Sequence, residues 1–329
     1  MNQYPDKHSD APGADLDQQA GEHGMTRRQL IRHAGWFGGA VVLTIAGGEV
    51  ISHVANARGA AATTAAGDSN ALRFVQISDS HIGFQGPANM NVAGSFTEAI
   101  NQVNSLRFRP QFVMHSGDLT HLSTAGQFDQ VKEMMTGLRT ERVFTVPGEH
   151  DSIGDSGRAY RRTFGRGTLG DGWYSFDTHG VHFIALVNTV NLEKLGHLGT
   201  EQIDFVRKDV AGLPSDTPIV VFSHIPLFAM YPQWGWSTDD ALKVLAYLRR
   251  FSSVTCLNGH VHQLFTKSEG NITFHSATTT AYPLPKPGQG PAPVPQVVPA
   301  GRLKDALGIR TVAYRQGTEV LAVKEEKLA

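Results

Sequence analysis

The chain of 329 residues has a single cysteine, Cys256. That excludes an intramolecular disulfide and any cysteine-rich metal site. Net charge is nearly absent, with 29 Lys and Arg against 30 Asp and Glu. No strong field therefore draws in nucleic acid or an anionic membrane, and an anionic substrate must be captured locally. The chain also lacks an apolar run of the roughly 20 residues that a membrane-spanning helix needs, so no stable membrane span is expected. It has no internal repeats. Charged residues make up only 18% of it and apolar residues 40%, which excludes wholesale disorder. The length is enough for a full hydrophobic core, in one large domain or two small ones. What the chain does have is histidine: 15 of them, several beside Asp, Gly or another His.

Residues 1–25 are polar and lack apolar periodicity, as in a disordered leader. Arg27-Arg28-Gln29-Leu30-Ile31 then precedes a weakly apolar stretch from Ala34 to Gly48, with small residues at Ala55 and Ala57. A charged segment, a short apolar region and an A-x-A type site describe a signal peptide. The arginine pair resembles the twin-arginine signal, whose pathway exports folded proteins. The other reading is an amphipathic helix with an accidental arginine pair. The expectation is a twin-arginine signal and leader over 1–57, a linker over 58–70 and one domain over 71–329. Such a chain is exported to the periplasm or beyond by the twin-arginine machinery.

In the remainder, apolar runs alternate with helical patterns. Strands are expected over 72–77, 112–114, 143–146, 219–222 and 254–257. Helices are expected over 92–106, 128–138, 200–213 with Thr200 as N-cap, and 238–251 capped by Thr238. Hairpins are expected around Thr178-His179-Gly180 and Glu269-Gly270-Asn271. Pro283 to Pro299 holds seven prolines, which excludes a helix or an inner strand. It reads as an ordered excursion, because strand patterns resume at 311–314 and 320–323. The alternation predicts an α/β layered fold, and the hairpins a mixed sheet.

Five expected strands end on polar clusters: Asp79-Ser80-His81, Gly117-Asp118, Gly148-Glu149-His150, His224 and Gly259-His260-Val261-His262. Ligand groups in open α/β sheets gather at the carboxyl ends of strands, so these side chains reach one rim. Imidazoles and carboxylates together suit ions such as Zn, Mn or Fe. Eight such side chains exceed the needs of one ion and suit two ions sharing a carboxylate. Singly, each cluster has a plainer reading. Asp-x-His is commonly a cap beside a surface histidine, Gly-Asp a turn, and His224 before Ile225-Pro226 a core histidine. Turns alone do not account for the whole ordered set. Gly117, Gly148 and Gly259 are expected to permit tight turns.

This series, with Asp151 after His150, resembles the calcineurin-like metallophosphoesterase superfamily from Leu72 to about Ala281. The segment 199–213 before the His224 strand, and Gly-His-Val-His before a hairpin, are similar to its bacterial cyclic-nucleotide phosphodiesterase-like branch. The resemblance implies a four-layer αββα sandwich with two mixed sheets and a dinuclear centre at one edge. It implies Asp79, His81 and His262 on the first metal, His224 and His260 on the second, and Asp118 bridging them. His150 would stand outside the metals, near the leaving-group oxygen. Glu149 occupies the place where the family carries an Asn ligand of the second metal, which leaves open which ion binds there. His121, where purple acid phosphatases carry a metal-binding Tyr, is left unassigned.

The implied function is an exported metal-dependent phosphoesterase using two ions, Fe, Mn or Zn. It would hydrolyse a small-molecule phosphodiester through a metal-bridging hydroxide, with no nucleic-acid partner. The alternatives are a phosphomonoesterase or nucleotidase, and a non-hydrolytic metal-binding protein on the same scaffold. Tyr231 with Trp234-Gly235-Trp236 reads either as a stacking wall or as loop packing. Arg158, Arg161 and Arg162 read either as a phosphate grip or as a solvated basic face. Cys256 reads as a small buried apolar residue.

Overall fold

Alternation along the strands gives each sheet two buried faces. In β3 (Ala71–Ile77), Leu72 and Phe74 point one way while Val75 and Ile77 point the other, into separate cores. The computed structural model describes residues 43–46, 49–52, 71–190, 194–316 and 321–328. The arginine pair, the alanines of the expected cleavage site and the linker lie outside the described residues. Within the stretch expected as a signal, β1 (Leu43–Ala46) and β2 (Glu49–Ser52) pair antiparallel.

Two parallel strand–helix runs organise the rest. The first is β3, α1 (Val92–Ser105), β4 (Phe112–His115), α2 (Ala125–Met135) and β5 (Arg142–Thr145). After a short α3 (Arg158–Phe164) and β6 (Tyr174–Thr178) comes the second. It is β7 (Val181–Ala185), α4 (Thr200–Asp209), β8 (Ile219–Ser223), α5 (Ala241–Leu248) and β9 (Val254–Asn258). The hairpin β10 (Phe265–Glu269) and β11 (Ile272–Ser276) extends the second sheet, giving the order β10-β11-β9-β8-β7-β6. The closing hairpin β12 (Gly308–Arg315) and β13 (Ala322–Lys327) returns to the first sheet. There β12 pairs antiparallel with β3, giving β13-β12-β3-β4-β5. Both sheets are mixed.

Three cores separate four layers. Phe96, Val103, Phe128 and Val131 of α1 and α2 pack on Val75, Ile77 and Val113. Phe74, Phe112, Phe183 and Phe222 fill the space between the sheets, with Phe74 and Phe112 stacked at 4.6 Å. Val206, Val244, Leu245 and Leu248 of α4 and α5 cover Val221, Val254 and the buried Cys256. Each buried Phe or Leu contributes about 1.5–3 kcal/mol. This is the αββα sandwich expected. Arg310 stitches the two sheets, donating to Gln76 Oε1 at 2.8 Å and the Ser276 carbonyl at 2.6 Å and pairing with Glu325. Among the described residues no helix is long and apolar enough to cross a membrane.

Two expected caps are corrected. Helix α5 starts after Asp240, not Thr238, because the Thr238 hydroxyl is committed to the Pro226 carbonyl and to Asn188. Helix α4 begins at Thr200 itself, after Gly199 at φ 81°. The proline-rich segment forms no helix or strand and is tied down by Gln263, which donates to the Leu284 and Pro285 carbonyls.

Candidate metal centre

The carboxyl ends of β3, β4 and β5 from one sheet, and of β8 and β9 from the other, open onto one rim. All eight side chains expected there come together. Asp79, His81, Asp118, His224 and His262 are buried; Glu149, His150 and His260 are partly so. Asp79, His81, Asp118, His260 and His262 all adopt left-handed backbone, with φ between 42° and 66°. Non-glycine residues pay for that conformation, and its concentration here marks a functional site.

The contacts fall into two triads around one carboxylate. His262 Nε2 lies 3.2 Å from Asp79 Oδ1 and 3.2 Å from His81 Nε2. On the other side, His224 Nε2 lies 3.0 Å from Glu149 Oε2, and His260 Nδ1 lies 2.8 Å from Glu149 Oε1. Asp118 Oδ2 sits between, 3.5 Å from His81 Nε2 and 3.4 Å from His224 Nε2. Its other oxygen, Oδ1, is occupied by the backbone N–H of His150 at 2.9 Å. Glu149, expected in the place of a ligand to the second metal, thus faces the two histidines.

Apart from the His81–His262 contact, several of these donor atoms approach one another without a hydrogen bond. Asp79 Oδ2, Glu149 Oε2, His224 Nε2 and both ring nitrogens of His260 are buried with no hydrogen-bond partner. Buried polar atoms are normally satisfied, so donor atoms converging on shared empty points ask for a cation. The tautomers agree. His224 Nδ1 donates to the Ser116 carbonyl at 2.8 Å and His262 Nδ1 to the Tyr282 carbonyl at 2.6 Å, which leaves each Nε2 lone pair turned inward. Electrostatics point the same way. Burial alone would raise Asp79 and Glu149, yet neighbouring imidazoles hold Asp79 below and Glu149 well below the ordinary carboxylate range. Burial opposes charge on His224, but Asp118 and Glu149 push it well above the ordinary imidazole value. Three carboxylates in one buried pocket call for positive charge, which bound ions would supply. Both triads, and the Asp79–Asp118–His224 set, have donor atoms close enough together to hold an ion.

Three glycines make room, and two of them for a reason other than the one expected. Gly117 has φ 102°, a turn conformation. Gly148 and Gly259 have no positive φ; a Cβ at 148 would collide with Asp118 Oδ1, and one at 259 with Ser78 Oγ and Asp79 Oδ2. Their role is close approach of the backbone to the Asp118 and Asp79 carboxylates.

Other residues brace the site. Asp151 accepts from the Leu119, Thr120 and Gly148 N–H groups at 2.8–3.0 Å and ties the β4 and β5 loops together. The Tyr282 ring stacks on His81 at 4.8 Å and touches His262 at 5.1 Å, and no local pattern announces it. His150 Nδ1 donates to the His121 carbonyl at 2.7 Å. Burial opposes charge on the His150 ring, while Asp118 and Glu149 raise its pKa. The aromatic cluster packs a loop: Tyr231 and Trp236 each meet Trp234 edge-on, and Trp236 is buried. Arg161 is held by Asp171 at 3.1 Å, whereas Arg158 and Arg162 are exposed, as on a solvated face.

The family model for calcineurin-like phosphoesterase matches residues 72–264. A 3′,5′-cyclic-nucleotide phosphodiesterase of Nostoc sp. is 23% identical over 223 residues, covering 64% of this chain and 79% of its own length. A probable cyclic nucleotide phosphodiesterase of Coxiella burnetii is 24% identical over 227 residues, covering 67% and 87%. Among solved structures, a dimetal phosphatase from Danio rerio superposes with a TM-score of 0.60 at 15% identity, over 78% of this chain and 96% of that one. A purple acid phosphatase from yellow lupin gives 0.55 at 16% identity, over 78% and 51%. At these identities the structures share the fold.

Proposed function

The chain belongs to the calcineurin-like phosphoesterase family, and from that premise we propose that it is a phosphodiesterase working with two metal ions. One observation carries the reading. Two triads, Asp79–His81–His262 and Glu149–His224–His260, share the single inward oxygen of Asp118. The first triad would hold one ion and the second another, with the Asp118 carboxylate placed to serve both. Fe, Mn and Zn suit this mixture of imidazole and carboxylate. Ions bound there supply charge to the phosphate oxygens and lower the pKa of water.

The chain's own groups do the rest. Asp79 and Asp118 are each fixed by a backbone N–H, from His260 at 3.0 Å and His150 at 2.9 Å, so neither carboxylate needs to reorganise during reaction. His150 makes no metal contact in this assignment. Its Nδ1–H is held by the His121 carbonyl, so the doubly protonated ring, favoured by the nearby Asp118 and Glu149 carboxylates, presents its Nε2–H to the departing oxygen and ends as the neutral Nδ1–H tautomer. The names of the two relatives support a phosphodiester, cyclic nucleotides among them, over a monoester. The Arg27-Arg28 motif supports export by the twin-arginine pathway to the periplasm.

The test is hydrolysis of bis-p-nitrophenyl phosphate against p-nitrophenyl phosphate by the metal-loaded protein. The diester is expected to be preferred, with activity lost on chelation. Preference for the monoester would make the protein a phosphomonoesterase. Activity on neither, with metal bound, would make it a non-hydrolytic metal protein.

A further inference from the structure

His121 lies outside both triads, yet it touches two of the histidines at the site. Its ring stacks on His150 with centroids 4.8 Å apart and planes 19° from parallel. Its Nδ1 lies 3.5 Å from Nδ1 of His81, the nitrogen that faces away from Asp118. Its carbonyl accepts the His150 Nδ1–H. Phe84 holds the far edge of the ring, centroid to centroid at 5.1 Å, and Phe84 in turn packs on Tyr282 at 4.3 Å. The ring is therefore wedged between a metal-facing histidine and the histidine assigned to the leaving group.

We propose that His121 is a positioning residue that fixes the His150 imidazole for proton delivery to the leaving-group oxygen. The inference rests on the phosphodiesterase reading of the site. The carbonyl sets the distance of His150 Nδ1, and the His81 ring, T-shaped to His150 at 4.8 Å, bounds one side of it but leaves it freedom to turn on the other. The stacked face of His121 removes that freedom, and the His81 and Phe84 contacts keep His121 itself from turning. A proton donor contributes about 10²- to 10⁴-fold when aligned with the atom it protonates. That gain depends on orientation, and misplacement by about 1 Å costs about 10²-fold. His121 is assigned no metal here: its near nitrogen faces the side of His81 turned away from the two triads, and because His81, His121 and His150 together could reach an ion, metal content is part of the test.

The consequence depends on the leaving group. p-Nitrophenolate departs without a proton, whereas an alkoxide needs one. His121→Ala should therefore lower kcat for an alkyl phosphodiester by at least about ten-fold more than kcat for bis-p-nitrophenyl phosphate. KM should stay within about two-fold and metal content at the wild-type value. His121→Phe, which keeps a flat ring against His150, should recover most of the loss. A second readout needs no turnover and no metal. In histidine-¹⁵N-labelled metal-free protein, the His150 ring resonances, assigned with His150→Gln, should move in His121→Ala and stay near wild type in His121→Phe. Equal losses on the two esters, loss of a metal equivalent, or unmoved His150 resonances would overturn the proposal. Wild-type protein inactive on both esters would refute the phosphodiesterase reading instead, and the resonance comparison would still decide the placement of His121.

Discussion

Replacing Glu149 by Asn changes the charge of the centre with little change in its shape. The carboxylate lies 3.0 Å from His224 Nε2 and 2.8 Å from His260 Nδ1, with its side chain 23% exposed. Asp79, Asp118 and Glu149 leave two divalent ions with a single net positive charge; an amide at 149 leaves two. A unit charge at 4 Å acts with about 4 kcal/mol at an effective dielectric of about 20. A phosphodiester anion a few ångströms further away, partly screened, retains roughly a third of that, about 1.4 kcal/mol, or tenfold in an equilibrium constant. Glu149→Asn should therefore raise kcat/KM for bis-p-nitrophenyl phosphate by about tenfold at saturating Mn²⁺. It should also weaken metal binding at the second position, since the ligand lost is the charged one. The assay pairs a metal titration with steady-state hydrolysis over a range of Mn²⁺ concentrations. Unchanged stoichiometry with activity within two-fold of wild type would refute the reasoning and remove Glu149 from the ligands.

Gly148→Ala should weaken metal binding at both positions while the protein stays folded, because its Cβ would displace the shared Asp118 carboxylate; a metal titration with circular dichroism checks this. Arg310→Met should cost about 3–5 kcal/mol in urea unfolding, the range for breaking a buried ion pair, because it leaves Glu325 and the Ser276 carbonyl without a partner. His182, far from the centre, gives a pH signature. Burial opposes its charge, but the Asp209 and Asp177 carboxylates, each 2.9 Å away, raise its pKa above the ordinary value. The stabilisation is then fully present below about pH 6.5 and lost as pH rises through the folded-state value. The thermal midpoint of wild type relative to His182→Gln should accordingly fall between pH 6 and pH 9, and a constant difference would contradict this.

The ligand rim was legible because β3, β4, β8 and β9 are buried, mostly apolar runs that stop abruptly at a polar group. Asp79, Asp118 and His224 all follow such runs, and sheet geometry places their ends together. The αββα layering was implied by resemblance, and alternate burial along β3 and β8 carries it physically. Sheet order was not legible: nothing local in 308–315 says that β12 lies antiparallel beside β3. The cap of α5 was misplaced because Thr238 has good capping chemistry and a tertiary partner claims it. Tyr282 acts through ring stacking from a distant loop, which leaves no periodic trace. Gly148 and Gly259 looked like turn residues, and only the positions of Asp118 and Asp79 reveal that their missing Cβ is what matters.

The central claim is that seven side chains hold two ions through one shared carboxylate. Metal equivalents per chain test it most directly, measured by mass spectrometry after equilibration with Mn²⁺ in wild type, His262→Ala, His224→Ala and Asp118→Ala. The account predicts two equivalents in wild type, one in each histidine variant, and weakened binding at both positions in Asp118→Ala. A single equivalent in wild type, or an Asp118→Ala protein that retains two tight ions, would contradict it.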